Sequence, residues 1–268
     1  MQEVKKPSLN RLVLEINKKA GETILGRVLN MPNLEIKRLK TGIESLDLAL
    51  GGGMPAGRIV ELYGLPSAGK SLISLLTIAQ AQRDGKECVY LDCEDSFDAG
   101  WAKKLGVDID KLVLGQSSVG EDTLELVIKL LKAEPAIIVV DSVAAMVTRA
   151  ELEEDIDKAF MAPKARLLGK ALRMILAQNK GTTIIFINQL RATMAMYGPQ
   201  LTTPGGKAIP YAASIRMEIK KSEDIHEEGK KTKPIIGQIV GFKVTKNKTA
   251  RPFQVGSFKF FYDDGHIE

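Results

Sequence analysis

Apolar and polar positions along most of this chain alternate in blocks that predict strands followed by helices. Short apolar runs predict strands at 58–63, 88–92, 112–114, 136–140 and 183–187. Apolar residues at helical spacing follow several of these runs, after Lys70, near 99–105, at 121–132 and at 164–179. This order predicts an α/β fold with a mostly parallel, doubly wound sheet and helices on both faces.

The pattern changes at both ends of the chain. Ser8 is a predicted N-cap for a helix at 9–20 that ends at Gly21, and 23–29 predicts a short strand. We therefore expect residues 1–33 to form an arm of one helix and one strand, and 34–268 to form the main domain. An arm with apolar faces must bury them on its own core or on a neighbour. Near the other end, 214–220, 235–244 and 253–261 predict strands added antiparallel at one edge of the sheet.

Composition fits an ordinary globular protein of 268 residues with 44% hydrophobic residues, enough for one good-sized core. No apolar run approaches a membrane span, and the polar start is not followed by a signal-peptide core, so we expect a cytoplasmic protein with no membrane partner. Cys88 and Cys93 are predicted to be buried thiols on opposite faces of one strand. Two His and no further Cys predict no zinc site.

Charge is distributed unevenly although the net charge is only +5. Residues 229–262 contain no Asp or Glu but carry eight basic residues: Lys230, Lys231, Lys233, Lys243, Lys246, Lys248, Arg251 and Lys259. A solvated basic face is the usual explanation of such a run, and a site for a polyanion is the alternative.

One loop at the end of the first predicted strand carries a complete phosphate-binding motif. Residues 64–71 read GLPSAGKS, the pattern G-x-x-x-x-G-K-[ST], between a strand and a helix. Backbone amides in this motif surround phosphate oxygens, Lys70 reaches the β- and γ-phosphates, and the Ser71 hydroxyl binds Mg²⁺. The predicted ATP-binding residues of the loop are Gly64, Ser67, Ala68, Gly69, Lys70, Ser71 and Leu72.

Two further strands end in acidic residues at the same edge of the predicted sheet. Asp141 ends an apolar strand and is expected either to hold Mg²⁺ through water or to cap a helix. Glu94 follows another strand and is expected either to activate an attacking water or to be a solvated acid. The strand at 183–187 leads to Gln189 and then to a long segment at 190–206 that contains Gly, Pro and Thr, and loops of this length in compact domains are usually functional or disordered.

The order of these motifs resembles the RecA family of homologous recombinases over about 9–265. The resemblance rests on 64–71, 91–94, 139–145, 186–191 and 243–248, which read GLPSAGKS, LDCE, VVDSVAA, FINQLR and KVTKNK. It implies that Glu94 activates water and that Gln189 senses the γ-phosphate. It also implies that Asp98, Trp101 and Tyr262 hold the adenine, and that Lys246 and Lys248 reach into the ATP site of the adjacent subunit.

Two DNA-binding loops are also implied by the resemblance. The first corresponds to 151–166, and the second to 191–207, whose Gly205 and Gly206 begin a turn that can present amides to phosphate. The residues implied in DNA contacts are Met161, Arg166, Arg173, Arg191, Met194, Tyr197, Gly205, Gly206 and Lys207. Ordinary loop packing is the alternative for the Met and Tyr side chains.

Three departures from the family pattern stand out. Residues 65–68, LPSA, replace an acidic and serine-rich stretch, which leaves backbone binding of phosphate intact. The first loop contains five acidic residues and the second has no basic residue between Arg191 and Lys207, so we expect DNA binding to be weaker or more salt-sensitive than in typical members. The chain also ends at Glu268 without the additional C-terminal domain of bacterial RecA proteins, as we expect of a phage-encoded member, a trimmed chain or a reduced lineage.

The predicted function is that of a DNA-dependent ATPase that forms a helical filament on single-stranded DNA, pairs it with homologous duplex DNA and exchanges strands. ATP and Mg²⁺ are the expected cofactors. A hexameric DnaB-type helicase motor is one alternative, against which the arm and the two lysines argue. A non-catalytic ATP-binding filament accessory protein is the other, against which Glu94 argues.

Overall fold

The computed structural model describes residues 8–28, 35–153, 162–192, 201–227 and 233–268. The chain forms two compact units, Met1–Lys37 and Arg38–Glu268. Helix α1, Leu9–Ala20, dominates the first unit and has the predicted ends. The Ser8 hydroxyl accepts a hydrogen bond from the amide of Arg11 at 3.4 Å, and Gly21 ends the helix with a φ of 74°. A left-handed residue at this position suits glycine because it has no Cβ.

The predicted strand at 23–29 is wrong for its described part, 23–28, which contains no strand. The backbone groups of Ile24 and Leu25 form hydrogen bonds with the side chain of Asn17 in α1 instead of with a second strand. Its Oδ1 accepts from the amides of Ile24 and Leu25 at 3.0 and 2.9 Å, and its Nδ2 donates to the carbonyl of Leu25 at 2.6 Å. A strand is stable only when it pairs with a second strand, and the local pattern of side chains at 23–29 contains no information about such a partner.

The second unit is built on an eight-stranded sheet in the order β12-β11-β10-β3-β7-β6-β4-β5. Two short antiparallel pairs, β1 with β2 and β8 with β9, lie outside it. The strands are β1 (Arg38–Leu39), β2 (Met54–Pro55), β3 (Ile59–Gly64), β4 (Cys88–Asp92), β5 (Leu112–Gln116), β6 (Ile137–Asp141), β7 (Thr183–Gln189), β8 (Arg191–Ala192), β9 (Leu201–Thr202), β10 (Ile215–His226), β11 (Ile235–Asn247) and β12 (Val255–Phe261).

Helices cover both faces of this sheet, which confirms the predicted α/β fold. They are α2 (Glu44–Leu50), α3 (Lys70–Arg83), α4 (Ala99–Lys104), α5 (Gly120–Leu130), α6 (Arg149–Glu153), α7 (Ala162–Gln178) and α8 (Ala208–Ala212). The core on one face includes residues of α2, α3 and α4, and the core on the other includes residues of α5, α7 and α8. The central strands β3, β4 and β6 are buried along their whole length, as expected for strands covered on both sides.

The two edges of the sheet differ. At one edge β11 pairs antiparallel with β10 and β12, as predicted, but β10 itself runs parallel to β3, so the prediction of three antiparallel strands is corrected for the first of them. At the other edge, among the described residues, β5 pairs with β4 alone and leaves Val113 and Leu114 exposed.

Both cysteines are buried, as predicted, and each belongs to a different face of the sheet. Cys88 lies in the core beside α3, and Cys93 in the core beside α5 and α7. Burial raises the pKa of the Cys88 thiol to about 12 and that of Cys93 to about 11. Both therefore remain protonated near neutral pH and act as small apolar side chains.

Candidate nucleotide and DNA site

The phosphate-binding motif forms a turn between β3 and α3, where the sequence predicts it. Ser67 and Gly69 have φ values of 56° and 100°, so the backbone curls back on itself before Lys70 starts the helix. Gly64 lies so close to β10 that a Cβ there would come within 2.1 Å of the Ile219 carbonyl oxygen. Within the part of the chain that the structure describes, no side chain caps α3, so its first amides are available to an anion.

Lys70 is buried, and its ammonium group donates to the carbonyls of Leu65 at 2.7 Å and Gly64 at 3.3 Å. Burial lowers the pKa of Lys70, whereas the carboxylates of Asp141 and Glu94 raise it. These contacts place the cation inside the turn that surrounds the expected phosphate position.

Asp141, at the end of β6, lies beside the first turn of α3. Its Oδ2 accepts a hydrogen bond from the hydroxyl of Ser71 at 2.6 Å, and a second from the hydroxyl of Tyr90 at 2.6 Å. A hydroxyl and a carboxylate are hard oxygen donors of the kind that Mg²⁺ prefers, so the pair fits this ion. Burial raises the pKa of Asp141, and the two hydroxyl donors lower it. Burial together with the charge of Asp141 raises the pKa of Tyr90, so Tyr90 remains a donor.

Glu94 lies on the turn after β4 and is held by side chains from two other strand ends. Its Oε1 accepts from the hydroxyl of Ser142 and from Nε2 of Gln189, the latter at 3.0 Å. The Asp92 carboxylate shapes the turn by accepting from the amides of Glu94, Ser96 and Phe97 at 2.8–3.0 Å. The structure therefore brings together the predicted water-activating residue and the predicted γ-phosphate sensor.

A buried polar cluster connects this edge of the sheet to the second predicted DNA loop. Asn188, fully buried, donates through Nδ2 to Oε1 of Glu61 and to the carbonyl of Pro204, both at 3.1 Å. Its Oδ1 accepts from the amide of Gln189. Glu61 is fully buried as well, and its other oxygen pairs with Arg216 at 2.5 Å. Asn188, which directly precedes Gln189, is thus bonded both to β3 and to Pro204, near the end of the second predicted DNA loop.

Two of the three residues expected to hold adenine, Trp101 and Tyr262, lie beside β12, and Asp98 begins the helix that carries Trp101. Asp98 caps α4 by accepting from the amide of Trp101 at 2.9 Å. The rings of Trp101 and Tyr262 both pack edge-on against Phe260, with centroid distances of 5.7 and 5.8 Å. Lys104 joins them by donating to the carbonyl of Tyr262 at 3.3 Å.

The predicted DNA-binding residues that the structure describes lie on α7 and around the second loop. Arg166 and Arg173 are exposed on α7, and Arg191 is exposed at the start of the short hairpin β8–β9. Gly205 and Gly206 have φ values of 88° and 65°, and a Cβ on Gly205 would come within 2.4 Å of Leu168 on α7. The turn at Gly205 and Gly206 therefore packs on the helix that carries both arginines. Met161, Met194 and Tyr197 lie outside the described residues.

The two lysines expected at a neighbour's ATP site lie at the end of β11 and just beyond it. Lys246 donates to the carbonyls of Pro210 at 2.7 Å and Tyr211 at 3.3 Å, and burial, followed by the charges of Lys248 and Arg216, lowers its pKa. Lys248 is exposed. The exposed Lys207 caps α8, the helix whose last turn contains these carbonyls.

The sequence matches the RecA N-terminal domain family over residues 7–267. The chain belongs to the RecA family. It is similar to Protein RecA of Haemophilus ducreyi, with 40% identity over 98% of this chain and 71% of that protein, and to Protein RecA of Brevibacillus brevis, with 41% identity over 97% and 74%. Protein RecA of Nostoc punctiforme is 38% identical over 97% of this chain and 73% of its own length.

Among solved structures, this RecA-family chain is similar to the crystal structure of the RadB recombinase, with a TM-score of 0.63 and 21% identity over 85% of this chain and 98% of that one. A likeness at this identity supports the fold. The family prediction made from the motifs is confirmed, and it places the chain among proteins of DNA recombination and repair that bind ATP and DNA. Among the described helices, none has both the length and the hydropathy needed to cross a bilayer.

Four residues in or near the candidate site had no role predicted from the sequence: Tyr90, Ser142, Asn188 and Lys164. Ser142 and Asn188 belong to the motifs at 139–145 and 186–191, but neither motif indicated a role for them. Tyr90 lies in a buried strand, where the apolar pattern gave it no distinct signal. Lys164 is half-buried near Arg191 and Glu151, and burial lowers its pKa. Its position two residues before Arg166 was the only available signal. Within the described residues no three His, Cys, Asp or Glu side chains form a metal cluster.

Proposed function

We propose that this RecA-family chain is a DNA-dependent ATPase that polymerises on single-stranded DNA as a helical filament, pairs it with homologous duplex DNA and exchanges strands in the cytoplasm. The observation that carries the proposal is the hydrogen bond between Gln189 and Glu94 at the edge of the sheet that carries the phosphate loop. Gln189 is also two residues from Arg191, where the second DNA loop starts. One amide side chain therefore stands between the proposed hydrolytic residue and the proposed DNA-binding segment.

The residues of the site divide the proposed chemistry among them. The amides of the phosphate loop and Lys70 bind and orient the phosphates, with Ser71 and Asp141 holding the metal. Mg²⁺, when bound, neutralises charge on the β- and γ-phosphate oxygens. Glu94 takes the proton of the attacking water. A γ-phosphate oxygen competes with Glu94 for the amide of Gln189, so occupation of the site shifts the start of the second loop.

Phosphate release measured with and without single-stranded DNA tests the ATPase part of this proposal. We expect hydrolysis that DNA stimulates, and extended filaments in electron micrographs with a slowly hydrolysed ATP analogue. ATP binding without turnover would favour the accessory protein, and closed six-membered rings would favour the helicase motor.

DNA binding is proposed at Arg166, Arg173, Arg191, Lys207 and the amides of Gly205 and Gly206, with Met161, Met194 and Tyr197 completing the two loops. The packing of the Gly205 turn on α7 supports this because it joins elements from both predicted loops on one surface. Exposed arginines suit phosphate, and glycines without Cβ let the backbone approach it closely.

Replacing Arg166 by Ala is expected to weaken binding of single-stranded DNA, because one phosphate contact is lost. The slope of log affinity against log salt concentration should become shallower by about one.

Tyr197→Ala is expected to weaken the free energy of binding to single-stranded DNA by about 1–3 kcal/mol at all salt concentrations, because its ring would no longer stack on a base. Fluorescence anisotropy over a salt series measures both. Lys129→Ala, which removes an exposed cation on α5, is the matched control. Unchanged affinity in both variants would place DNA elsewhere.

Filament growth is proposed to use the arm, residues 1–33, of one subunit and the core, 34–268, of the next. Leu9, Leu12 and Ile16 of α1 are exposed, and so are Ile24 and Leu25 after it. In the described part of the core, β5 is an edge strand of the sheet, and its side chains Val113 and Leu114 are exposed. An incoming segment can add to such an edge as a strand, so β5 is the surface of the core that we propose for contact with a neighbour's arm.

Leu12→Asp is expected to raise the protein concentration needed for filament assembly at least about tenfold, because burying an unpaired carboxylate costs several kcal/mol. Light scattering with single-stranded DNA and the ATP analogue measures it. Asn10→Asp introduces the same charge on the same exposed helix and should assemble like wild type. Equal assembly of the two variants would argue against an arm-mediated contact.

A further inference from the structure

Tyr90 is a buried side chain in the candidate nucleotide site, next to the carboxylate at the end of β6. It lies in β4, its ring packs against Phe97 with centroids 5.2 Å apart, and its hydroxyl donates to Oδ2 of Asp141 at 2.6 Å. A phenylalanine would fill the same space and make the same ring contact. The hydroxyl is therefore the only part of the side chain whose presence the packing does not explain.

The hydroxyl of Tyr90 acts on the carboxylate from the protein side, whereas Ser71 approaches it from the phosphate loop. Both donate to Oδ2, and neither donates to Oδ1. Two short hydrogen bonds hold Oδ2 and so restrict rotation of the carboxylate, and no side chain among the described residues donates to Oδ1, which would remain for a water molecule on the metal. Partners of this kind behind a metal-binding group orient it, and their loss costs about 10–100-fold in metal affinity.

We infer that Tyr90 is a positioning residue for Mg²⁺, which fixes the Asp141 carboxylate so that the ion is bound tightly when ATP occupies the phosphate loop. This inference rests on the proposed function of the site as one for ATP and Mg²⁺. It adds a residue on β4 to the metal site, beside the residues of α3 and β6.

Tyr90→Phe separates this role from packing. Binding of a fluorescent ATP analogue is measured over a Mg²⁺ series and again in EDTA, so that the readout does not depend on hydrolysis. We expect the Mg²⁺ midpoint to rise about tenfold in the variant, while affinity in EDTA stays within about twofold of wild type. Thermal unfolding in EDTA checks that the fold is intact.

Tyr63→Phe is the matched control. Tyr63 is also buried, and its hydroxyl bonds to Thr245 at 2.9 Å on the other side of β3, away from Asp141. It should lose stability without any shift in the Mg²⁺ midpoint. The same shift in both variants would overturn the inference, because loss of any buried hydroxyl would then suffice.

Two further results would also overturn it. An unchanged midpoint in Tyr90→Phe would mean that Ser71 alone positions Asp141, and an equal loss of affinity with Mg²⁺ and in EDTA would mean that Tyr90 shapes the nucleotide pocket. If wild-type protein bound the analogue equally well with Mg²⁺ and in EDTA, the proposed ATP–Mg²⁺ site itself would be wrong, which is distinguishable from failure of the Tyr90 inference.

Discussion

Glu94→Gln is expected to lower DNA-stimulated ATP hydrolysis at least about 100-fold while ATP and DNA binding persist, since an amide can hold a water molecule but cannot take its proton. The substitution preserves the local structure because the amide oxygen can still accept from Ser142 and Gln189. Filaments should consequently persist longer after ATP addition. Phosphate release and the lifetime of filaments in micrographs measure the two effects.

Asp95→Asn provides the control for Glu94→Gln. Asp95 is the next residue, is exposed, and bonds to Gln116 at 2.8 Å, so the change removes the same charge from the same turn. Its turnover should remain within about twofold of wild type. If Glu94→Gln also stayed within that range, Glu94 would not be the base, because a positioned general base contributes 10²-fold or more.

The fold was predictable because its main determinants are local. The runs that became β3, β4, β6 and β7 are mostly apolar, and glycines or polar residues bound them. The two elements that were mispredicted depend on distant neighbours. Residues 23–28 needed a second strand to become one, and the direction of β10 is set by its pairing with β3, more than 150 residues earlier in the chain.

In the candidate site too, features encoded locally could be predicted and those that depend on distant residues could not. The phosphate loop is recognisable because glycine, lysine and serine at fixed spacing serve one purpose, and Glu94 and Asp141 were identifiable as acids at strand ends. The residues that position the side chains and loops of the site through hydrogen bonds could not be identified from the sequence. Ser142 and Asn188 bond across strands to residues about 48 and 127 positions away, and such contacts leave no spacing in the sequence. Tyr90 resembles any aromatic residue of a buried strand.

The register of the sheet bears on where Lys246 and Lys248 act. Gly64 of the phosphate loop lies beside Ile219 of β10, whereas Lys246 lies opposite Arg216, at the level of Glu61. The Lys248 amide bonds to the Ser214 carbonyl, at the beginning of β3. At about 3.3 Å per residue, three to five residues put these lysines roughly 10–16 Å back along the sheet from the loop of their own chain. This separation favours action on a neighbour's nucleotide.

Mixing two inactive variants is expected to restore activity if the lysines complete the ATP site of the adjacent subunit. A chain with Lys246→Ala and Lys248→Ala keeps its phosphate loop and Glu94 but offers its neighbour no cations, whereas a Glu94→Gln chain offers intact lysines. Each alone should be nearly inactive. In a head-to-tail filament mixed at random, roughly one interface in four joins the intact loop to the intact lysines, so hydrolysis should return to at most about a quarter of wild type.

Two controls make the mixing result decisive. Glu94→Gln mixed with Lys70→Ala should show no recovery, because both defects lie on the same side of the interface and no pairing contains a complete site. Lys259→Ala removes an exposed lysine of β12 that pairs with Glu268, and should remain active on its own. If labelled subunits co-assemble and the lysine variant still gains nothing from Glu94→Gln, the lysines act within their own subunit or on DNA. Recovery confined to that one mixture would assign Lys246 and Lys248 to the neighbour's phosphates, since only there does the second subunit supply the missing positive charge.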